Sequence, residues 1–499
     1  MTAGPSGIDP EELARALRVF RELDALPVDH PDALAVRRAT AKLFKDVKVR
    51  RRRERREEVL AHDDAVTALT ATGAPGRIDD ETQGRSLSST AGAPVAGTLR
   101  RARACYICKI RFTEVDAFYH QLCPACAAIN HARREARTDL TDRRALLTGG
   151  RAKIGMYIAL KLLRDGAHTT ITTRFPRDAA RRFAAMPDSP RWLHRLRVVG
   201  IDLRDPAQVT ELADAVAAEG PLDILINNAA QTVRRSPGSY AHLVAAESVP
   251  LGDGPLPEFL RLGSASAVPV LVAGSTTDPL NSGAANPGPA NPGAANSGPA
   301  NTVAPHALAV LALTSGSASL ERVADNTAID AGGLVPDQDA ANSWSRRVHE
   351  VDALEMLEVQ LSNVTAPFVL VSKLRPALAA SSARRAYVVN VSAMEGQFSR
   401  GYKGPGHPHT NMAKAALNML TRTSARDFLA DGILMTSVDT GWITDERPFP
   451  TKARLADEGF HAPLDLVDGA ARVYDPIVRG ELGEDVHGCF LKDYSPSAW

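Results

Sequence analysis

From residue 144 to the end of the chain, short apolar runs alternate with longer segments whose apolar residues recur at helical spacing. Strands that are buried on both faces have continuous apolar runs, and helices fill the gaps between such strands. The pattern therefore predicts an α/β fold with a doubly wound parallel sheet over residues 138–499. We expect its strands at 145–147, 169–172, 196–200, 224–226, 387–391 and 434–438, with a last strand within 488–494.

Residues 1–70 carry a helical pattern instead. Asp9, followed by a proline and an acid, predicts a helix start, and Leu13 and Leu17 give that helix an apolar side. A second helix is expected from about Pro31 into a basic run at 48–58, whose acids stand at intrahelical pair spacing. We interpret that run as a solvated helix face; binding of nucleic acid or of an acidic partner is the alternative.

Two stretches interrupt these patterns. Residues 71–98 are rich in Gly, Ser, Thr and Pro, which predicts a flexible linker. Residues 232–341 separate the fourth predicted strand from the next convincing helix, expected at about Trp344, and are interpreted as an insertion. Tandem pentapeptides at 282–301 have too few large apolar side chains to offset chain entropy, so disorder is predicted there.

The composition narrows the class of protein. A formal net charge of +1 over 499 residues gives no global attraction to nucleic acid or to a membrane, so neither is an expected partner. No apolar run reaches membrane-spanning length, and the first residues do not form a secretion signal. Five cysteines, four of them in one short segment, do not suggest a disulfide framework. These features predict a cytoplasmic protein.

Four cysteines form two CxxC pairs separated by fourteen residues, namely Cys105, Cys108, Cys123 and Cys126. This spacing lets four thiolates converge on one tetrahedral ion, which predicts a zinc module over 99–137. Because four thiolates close the coordination sphere, we expect a structural role for the zinc. His120 and His131 are reserve ligands, a redox pair is the alternative, and Cys489 is expected in the core.

A glycine-containing loop, Thr148-Gly-Gly-Arg-Ala-Lys-Ile-Gly155, follows the first predicted strand of the sheet and opens a helix. Backbone amides and the positive helix end can hold a pyrophosphate at such a loop. Asp202 follows the third strand, Asn227-Asn228-Ala229 follow the fourth, and a helix that carries Lys414 follows the fifth.

This ordered set resembles the short-chain dehydrogenase/reductase family over most of 141–499, apart from the insertion. The resemblance implies a Rossmann-like fold, a nicotinamide cofactor and a mobile substrate cover at 446–461. Matched residue by residue, it implies the following cofactor-binding positions: Thr148, Gly149, Arg151, Lys153, Ile154, Gly155, Arg174, Asp202, Leu203, Asn228, Ala229, Lys414, Gly441 and Thr444.

Two departures from the family pattern concern the cofactor. Lys153 replaces the middle glycine of the loop, where backbone approaches the phosphates, so its side chain must turn away or contact phosphate itself. After the second strand no acid is present to receive a ribose hydroxyl, whereas Arg174 and Arg177 can meet a 2'-phosphate. NADP is therefore favoured over NAD, with an ordinary solvated loop as the alternative role of these arginines.

The family resemblance also implies a catalytic set of Asn, Ser, Tyr and Lys. Asn363 and Lys414 match it, but Thr410 replaces the tyrosine, and Ala393 replaces the serine with Ser392 one residue early. Unlike a phenol, an aliphatic hydroxyl cannot be tuned into an acid near neutral pH, so ordinary carbonyl reduction should be slow. The replacement acid is expected among three residues of the preceding loop: His409, His407 and Tyr402.

The leading hypothesis is an NADP-binding oxidoreductase with an atypical active site, acting on a small-molecule carbonyl or alcohol. The alternative is a catalytically impaired NADP(H)-sensing scaffold or regulatory protein that binds a protein partner through its zinc module and N-terminal helices. The resemblance also allows a homo-oligomer, paired through the helix that carries Lys414.

Overall fold

The structure is a computed structural model that describes residues 7–75, 77, 87–262, 322, 325, 327–444 and 446–499. The chain divides into two compact units. The first contains Met1–Ala65 with Leu99–Arg101, and the second contains Val66–Thr98 with Ala102–Trp499.

The first unit is helical, as predicted. Helix α1 spans Pro10–Glu22 and α2 spans Pro31–Ala68. The Asp9 carboxylate caps α1 by accepting the Glu11 N–H at 2.7 Å. The basic run lies within α2, where an exposed Arg53–Glu57 pair spans one helical turn.

The second unit begins with the cysteine-containing module. Strand β1 spans Val95–Ala104, β2 spans Arg111–Asp116 and pairs with β1 antiparallel, and α3 spans Pro124–Glu135. The predicted linker boundaries need correction, because β1 starts inside 71–98 and the buried Thr72 donates its N–H to Phe118. Thr72 is therefore part of the packed module, while 78–86 lie outside the described residues.

A sheet of nine described strands forms the rest of the second unit, in the order β11-β10-β9-β8-β6-β3-β4-β5-β7. Its pairs are parallel except the terminal β10–β11 pair. Its strands are β3 Arg144–Leu147, β4 His168–Thr173, β5 Leu196–Gly200, β6 Ile224–Asn227, β7 Glu258–Arg261, β8 Ala386–Ser392, β9 Ile433–Asp439, β10 Phe490–Lys492 and β11 Ser495–Ser497. The α/β fold with its Rossmann-like parallel sheet is thereby confirmed.

Helices cover this sheet. They are α4 Lys153–Arg164, α5 Pro176–Ala184, α6 Pro206–Ala218, α7 Ala241–Ser248, α8 Ala353–Gln360, α9 Ala366–Ala379, α10 Pro408–Ala430, α11 Phe449–Asp457 and α12 Leu466–Glu481. A π-helical turn, Leu361–Thr365, joins α8 to α9. One core cluster packs α6 and α9 on the sheet through Leu212, Leu370 and Val388, and burying each leucine contributes about 2 kcal/mol.

The segment interpreted as an insertion needs a second correction. Its described part holds α7 and β7, and β7 pairs in parallel with β5, so it extends the sheet. After it, the next long helical stretch begins at Ala353, whereas Trp344 lies in a turn. The repeats at 282–301 lie outside the described residues. None of the helices described is long and apolar enough to cross a membrane.

Candidate functional site

A cleft of about 690 Å³ opens at the carboxyl ends of the central strands, where the strand order reverses at β3. This is the position at which open parallel sheets bind ligands. Of the cofactor-binding positions inferred from the sequence, these line the cleft: Gly149, Arg151, Lys153, Ile154, Gly155, Arg174, Asp202, Leu203, Asn228 and Ala229.

Thr148 does not line the cleft but joins two of its loops. Its hydroxyl oxygen accepts the N–H groups of Asn228 and Ala229, each at 3.0 Å. In return, the Asn228 side-chain amide donates to the carbonyls of Thr148 and Gly149, each at 3.1 Å. The loop after β3 is therefore fixed against the loop after β6.

The glycine loop has almost no room for side chains. A Cβ at Gly155 would lie 2.0 Å from the Gly149 carbonyl oxygen, so only glycine lets α4 start this close to the loop. Lys153 has a φ of +54°, so the lysine retains the left-handed backbone that glycine usually provides. Its ammonium lies 3.9 Å from the Asp330 carboxylate.

Arg174 occupies the end of the cleft beyond β4. Its guanidinium lies 5.1 Å from the centroid of the Tyr240 ring and donates to the Tyr240 hydroxyl at 3.3 Å. Arg177 faces elsewhere, because its N–H and guanidinium bind Glu247. The expectation that both arginines face a cofactor phosphate is corrected: only Arg174 is among the described residues that line the cleft.

Two other charged residues of the cleft, Asp202 and Arg151, are paired with oppositely charged side chains. Burial would raise the pKa of Asp202, but hydrogen bonds from Arg204 hold it below its usual value. Arg151 donates to the buried Asp178 carboxylate at 2.6 Å and to the Gly332 carbonyl at 2.8 Å. Arg151 therefore ties the glycine loop to α5 and to the segment before Trp344.

Lys414 is buried and donates from Nζ to the Val391 carbonyl oxygen at 2.9 Å. Burial lowers the pKa of Lys414 to about 8. Asn363 lies in the π-helical turn, where its side chain accepts the Gln231 N–H at 2.7 Å and donates to the Gln231 carbonyl at 3.1 Å. Asn363 thus binds the strand-end loop and makes no described hydrogen bond to Lys414.

The two hydroxyls of the predicted catalytic set are also buried. Ser392 is 2% exposed and Thr410 is 1% exposed. Their hydroxyl oxygens have no hydrogen-bond partner among the described atoms. Neither residue lines the cleft, and neither do Asn363, His409 and Lys414, as far as the described part of the chain shows.

The three candidate replacement acids differ in their surroundings. His409 is buried, with Nε2 3.6 Å from Oε1 of the equally buried Glu355, whose other oxygen pairs with Arg346 at 3.0 Å. His407 stacks on Trp344 with ring centroids 3.8 Å apart, and burial lowers its pKa. Tyr402 is 76% exposed. Of the three, only His409 is described next to a carboxylate.

Gly441 and Thr444 lie outside the described lining of the cleft. Gly441 donates its N–H to Asp439, whose pKa burial raises to about 6, and a Cβ on Gly441 would lie 2.7 Å from Leu464. The residues just beyond, Glu446, Pro448 and Phe449, do line the cleft. The segment predicted as a substrate cover therefore contributes a wall.

Sequence reasoning missed Tyr240 and Glu358. Tyr240 lies in the segment read as an insertion, and no local pattern predicts that it reaches Arg174. Glu358 is buried on α8, where it accepts from Arg204 at 3.2 Å and from the Gln231 side chain at 3.0 Å. An acid on the inner face of the helix before Asn363 was a usable but weak signal.

The four cysteines of the module converge, with all four Sγ atoms within 4.8 Å of one another. Zn–S bonds of 2.3 Å in a tetrahedron require sulfur atoms about 3.8 Å apart, so the donor set fits zinc. Burial opposes ionisation of Cys105, but N–H groups of Cys123 and nearby residues lower its pKa to about 7.

The reserve ligands are engaged elsewhere in the module. His120 lies 2.8 Å from the Thr72 hydroxyl, and His131 lies 3.1 Å from the Asp116 carboxylate. The expectation of a core position for Cys489 needs correction, because this residue is only half-buried, just before β10.

Comparisons with known proteins found a matching family model and a relative that aligns with most of the chain. The family model of the short chain dehydrogenases matches residues 143–246. Uncharacterized protein R665 of Acanthamoeba polyphaga mimivirus is 30% identical over 391 residues, covering 75% of this chain and 71% of that protein. Three quarters of this chain exceeds the length of 138–499, so that match extends upstream of residue 138.

Shorter and more distant similarities were also found. A Streptomyces antibioticus protein named "Probable oxidoreductase" is 39% identical over 94 residues, covering 18% of this chain and 30% of its own. A short chain dehydrogenase from Burkholderia cenocepacia, solved in complex with NADP, is 20% identical, with coverage of 71% of this chain and 97% of its own and a TM-score of 0.41.

Proposed function

We propose that this chain, whose residues 143–246 match the family model of the short chain dehydrogenases, is a member of that family that binds NADP(H) in the cleft and acts as an oxidoreductase on a small carbonyl or alcohol. The observation that carries the proposal is the glycine loop at the strand-order reversal, with Arg174 at the adjoining end of the same cleft. Backbone amides of the loop would hold the pyrophosphate, and Arg174 would meet the 2'-phosphate.

The preference for NADP rests on charge. Asp202, an acid of the cleft lining that interacts electrostatically with Arg174, is already hydrogen-bonded by Arg204 at 2.9 Å. Arg174 is anchored only through a neutral hydroxyl and two aromatic rings, which leaves its charge uncompensated by a directly bonded carboxylate in the described structure. A doubly charged phosphate is therefore a better partner at this end than a ribose hydroxyl.

For the chemistry, the cofactor would supply hydride transfer, and His409 is the proposed source of the proton. Its ring nitrogens have no hydrogen-bond partner among the described atoms, and its Nε2 lies 3.6 Å from the Glu355 carboxylate. His409 is buried away from the cleft lining, so its use requires the wall that holds Arg346 and Ser343 to move. We therefore propose a turnover slower than that of family members with a tyrosine.

We also propose that the cysteine module holds one structural zinc ion and that the protein works in the cytoplasm, where thiols stay reduced. The four-thiolate donor set supports the metal, and its closed coordination supports a structural role. Metal analysis of freshly purified protein should find about one zinc per chain, and its absence would refute the site.

One observation favours a second function, an NADP(H)-sensing or scaffolding protein. The predicted catalytic side chains are buried and lie outside the described lining of the cleft, whereas most of the predicted cofactor positions line it. In that case the cofactor binds without reaction, and its binding changes a contact with a protein partner.

Titration of NADPH into the wild-type protein, followed by turnover assays over a panel of carbonyls and alcohols, tests both functions. Binding with turnover that falls at least tenfold in His409→Gln supports the oxidoreductase with its atypical acid. Binding without any turnover supports the sensor. Lys414→Ala should lower turnover if the lysine acts at the cofactor, while no NADPH binding by the wild type would defeat both functions.

A further inference from the structure

The cysteine module is docked on the amino end of α12 by a buried set of charges. Arg134 of α3 pairs with Asp465 at 2.5 Å and with Asp468 at 3.1 Å, and the Tyr119 hydroxyl donates to Asp468 at 2.6 Å. The arginine side chain is 8% exposed and both aspartates are fully buried. Such groups tolerate burial only while their partners stay in place, so the module is held at a fixed position on α12.

A first tie runs from this module to the end of β9. Tyr106 stands between Cys105 and Cys108, and its hydroxyl oxygen accepts the N–H of Trp442 at 2.9 Å. Any displacement of the first cysteine pair therefore moves an acceptor that Trp442 uses.

A second tie runs to the residues before α12. Arg77 is 5% exposed, and its guanidinium donates to the carbonyls of Ala462 and Leu464, each at 3.3 Å. The same guanidinium donates to the Thr72 carbonyl at 2.7 Å, and the Thr72 hydroxyl lies 2.8 Å from His120 of the module. These contacts connect the second cysteine pair, three residues beyond His120, to Ala462–Leu464.

The two ties enclose the segment that closes one side of the cleft. Between Trp442 and Ala462 lie Glu446, Pro448 and Phe449, which line the cavity, and helix α11. Within this stretch Phe449 and Ala456 form a small core cluster of their own, and the Asn342 side-chain amide donates to the Glu446 carbonyl at 2.9 Å. The hydrogen bonds that connect the stretch to the cysteine module lie at its two ends.

We propose that the four-cysteine module is a metal-dependent clamp on this segment: metal binding fixes Tyr106 and Arg77, and through them Trp442 and Ala462–Leu464, so that the cleft closes on the cofactor. This inference rests on the proposed function in one respect: the predicted change in NADP(H) affinity requires that the cleft binds NADP(H). Tyr106 and Arg77 are positioning residues, because neither is among the described residues that line the cleft.

Hydrogen–deuterium exchange of the full-length protein, measured without cofactor, tests the clamp independently of activity. Tyr106→Phe should accelerate exchange in peptides that cover Trp442 by roughly fivefold, the effect of losing one hydrogen bond. Removal of the metal with a chelator should accelerate exchange at both Trp442 and 461–464. Tyr387→Phe is the matched control, since it removes a hydroxyl on the buried strand β8 that donates to Glu481 at 2.8 Å.

In a parallel titration, the Kd for NADPH should rise roughly three- to tenfold in Tyr106→Phe and stay within about twofold in Tyr387→Phe. If peptides that cover Trp442 exchange at the same rate in wild type and in Tyr106→Phe, the clamp is overturned. If the purified protein contains no metal, the metal dependence of the clamp is overturned. If the wild type does not bind NADPH, the proposed function fails while exchange still decides the clamp. If chelation unfolds the sheet, seen as exchange in β6, the Tyr106→Phe comparison decides alone.

Discussion

Replacing Arg174 by Gln should convert an NADP-preferring cleft into one that no longer distinguishes the two cofactors. The change removes the guanidinium charge but keeps a long polar side chain beside the stacked rings of Phe175 and Tyr240. NADPH affinity should fall, because the 2'-phosphate loses its cation, and NADH affinity should stay within about twofold. Arg177→Gln is the matched control, because this arginine lies three residues away and binds Glu247.

The expected magnitude follows from how Arg174 is held. A hydrogen bond to a charged group contributes about 1.5 to 3 kcal/mol, which corresponds to roughly a 10- to 150-fold change in affinity. Arg174 is partly exposed and its present bond to Tyr240 is long, at 3.3 Å. Solvent screening therefore favours the lower part of that range, about 10- to 30-fold for NADPH.

Isothermal titration of both cofactors into wild type, Arg174→Gln and Arg177→Gln measures the ratio of their Kd values. The ratio should shift only in Arg174→Gln, and the shift should shrink at high salt, where exposed charges are screened. An unchanged ratio in Arg174→Gln, or an equal shift in Arg177→Gln, would contradict the assignment of the 2'-phosphate to Arg174.

Two further predictions concern lysines. Because burial depresses the pKa of Lys414 from 10.5 to about 8, the unfolded state binds more protons between these values. The stability contribution of Lys414 is thus present above pH 10.5 and is lost as pH falls through 8. In urea unfolding, the free energy of unfolding of the wild type, measured relative to Lys414→Met, should rise by about 3 kcal/mol from pH 8 to 10.5. If this difference in unfolding free energy did not change with pH, the lysine would be solvated. Since Lys153 has φ +54°, the Lys153→Gly variant should be more stable than Lys153→Ala by about 1 kcal/mol. Equal urea unfolding midpoints of the two variants would contradict a strained backbone at this position.

The strands of the parallel sheet could be predicted from the sequence because each is short, apolar and buried on both faces. Strand β8 is buried at every position, so its apolar run has no polar interruption except Asn390 and Ser392. The glycine loop could also be predicted, since it follows directly from the positions of Gly149 and Gly155 along the chain. Both signals are local.

The roles of neighbouring charged residues could not be predicted, because they depend on distant partners. Arg174 and Arg177 look equivalent in the sequence, but α5 begins at Pro176 and turns Arg177 toward Glu247 of α7. The pairing of β7 with β5 is likewise a long-range contact, made by a strand that precedes the repeats at 282–301. The break in the strand–helix alternation identified residues 232–341 as an insertion but did not show that their first part extends the sheet.

The catalytic set illustrates a further limit, because matching a motif does not establish access to the cofactor. Lys414 stands at the family position, yet its ammonium donates to the Val391 carbonyl and is buried. Asn363 also stands at its family position, but both ends of its amide bind Gln231. In this chain these two side chains join α10 and the π-helical turn to the ends of strands.

What separates the oxidoreductase from the sensor is access to the first turn of α10. The Trp344 ring stacks on His407, and the backbone there is close enough that a Cβ on Gly406 would lie 2.8 Å from the Trp344 carbonyl. Arg346 closes the same side through Glu355, which lies against His409. If the Trp344–Arg346 stretch can leave this position when cofactor binds, His409 and Thr410 reach the cleft and chemistry is available. If it cannot, the cleft binds NADP(H) beside a sealed and inactive catalytic set.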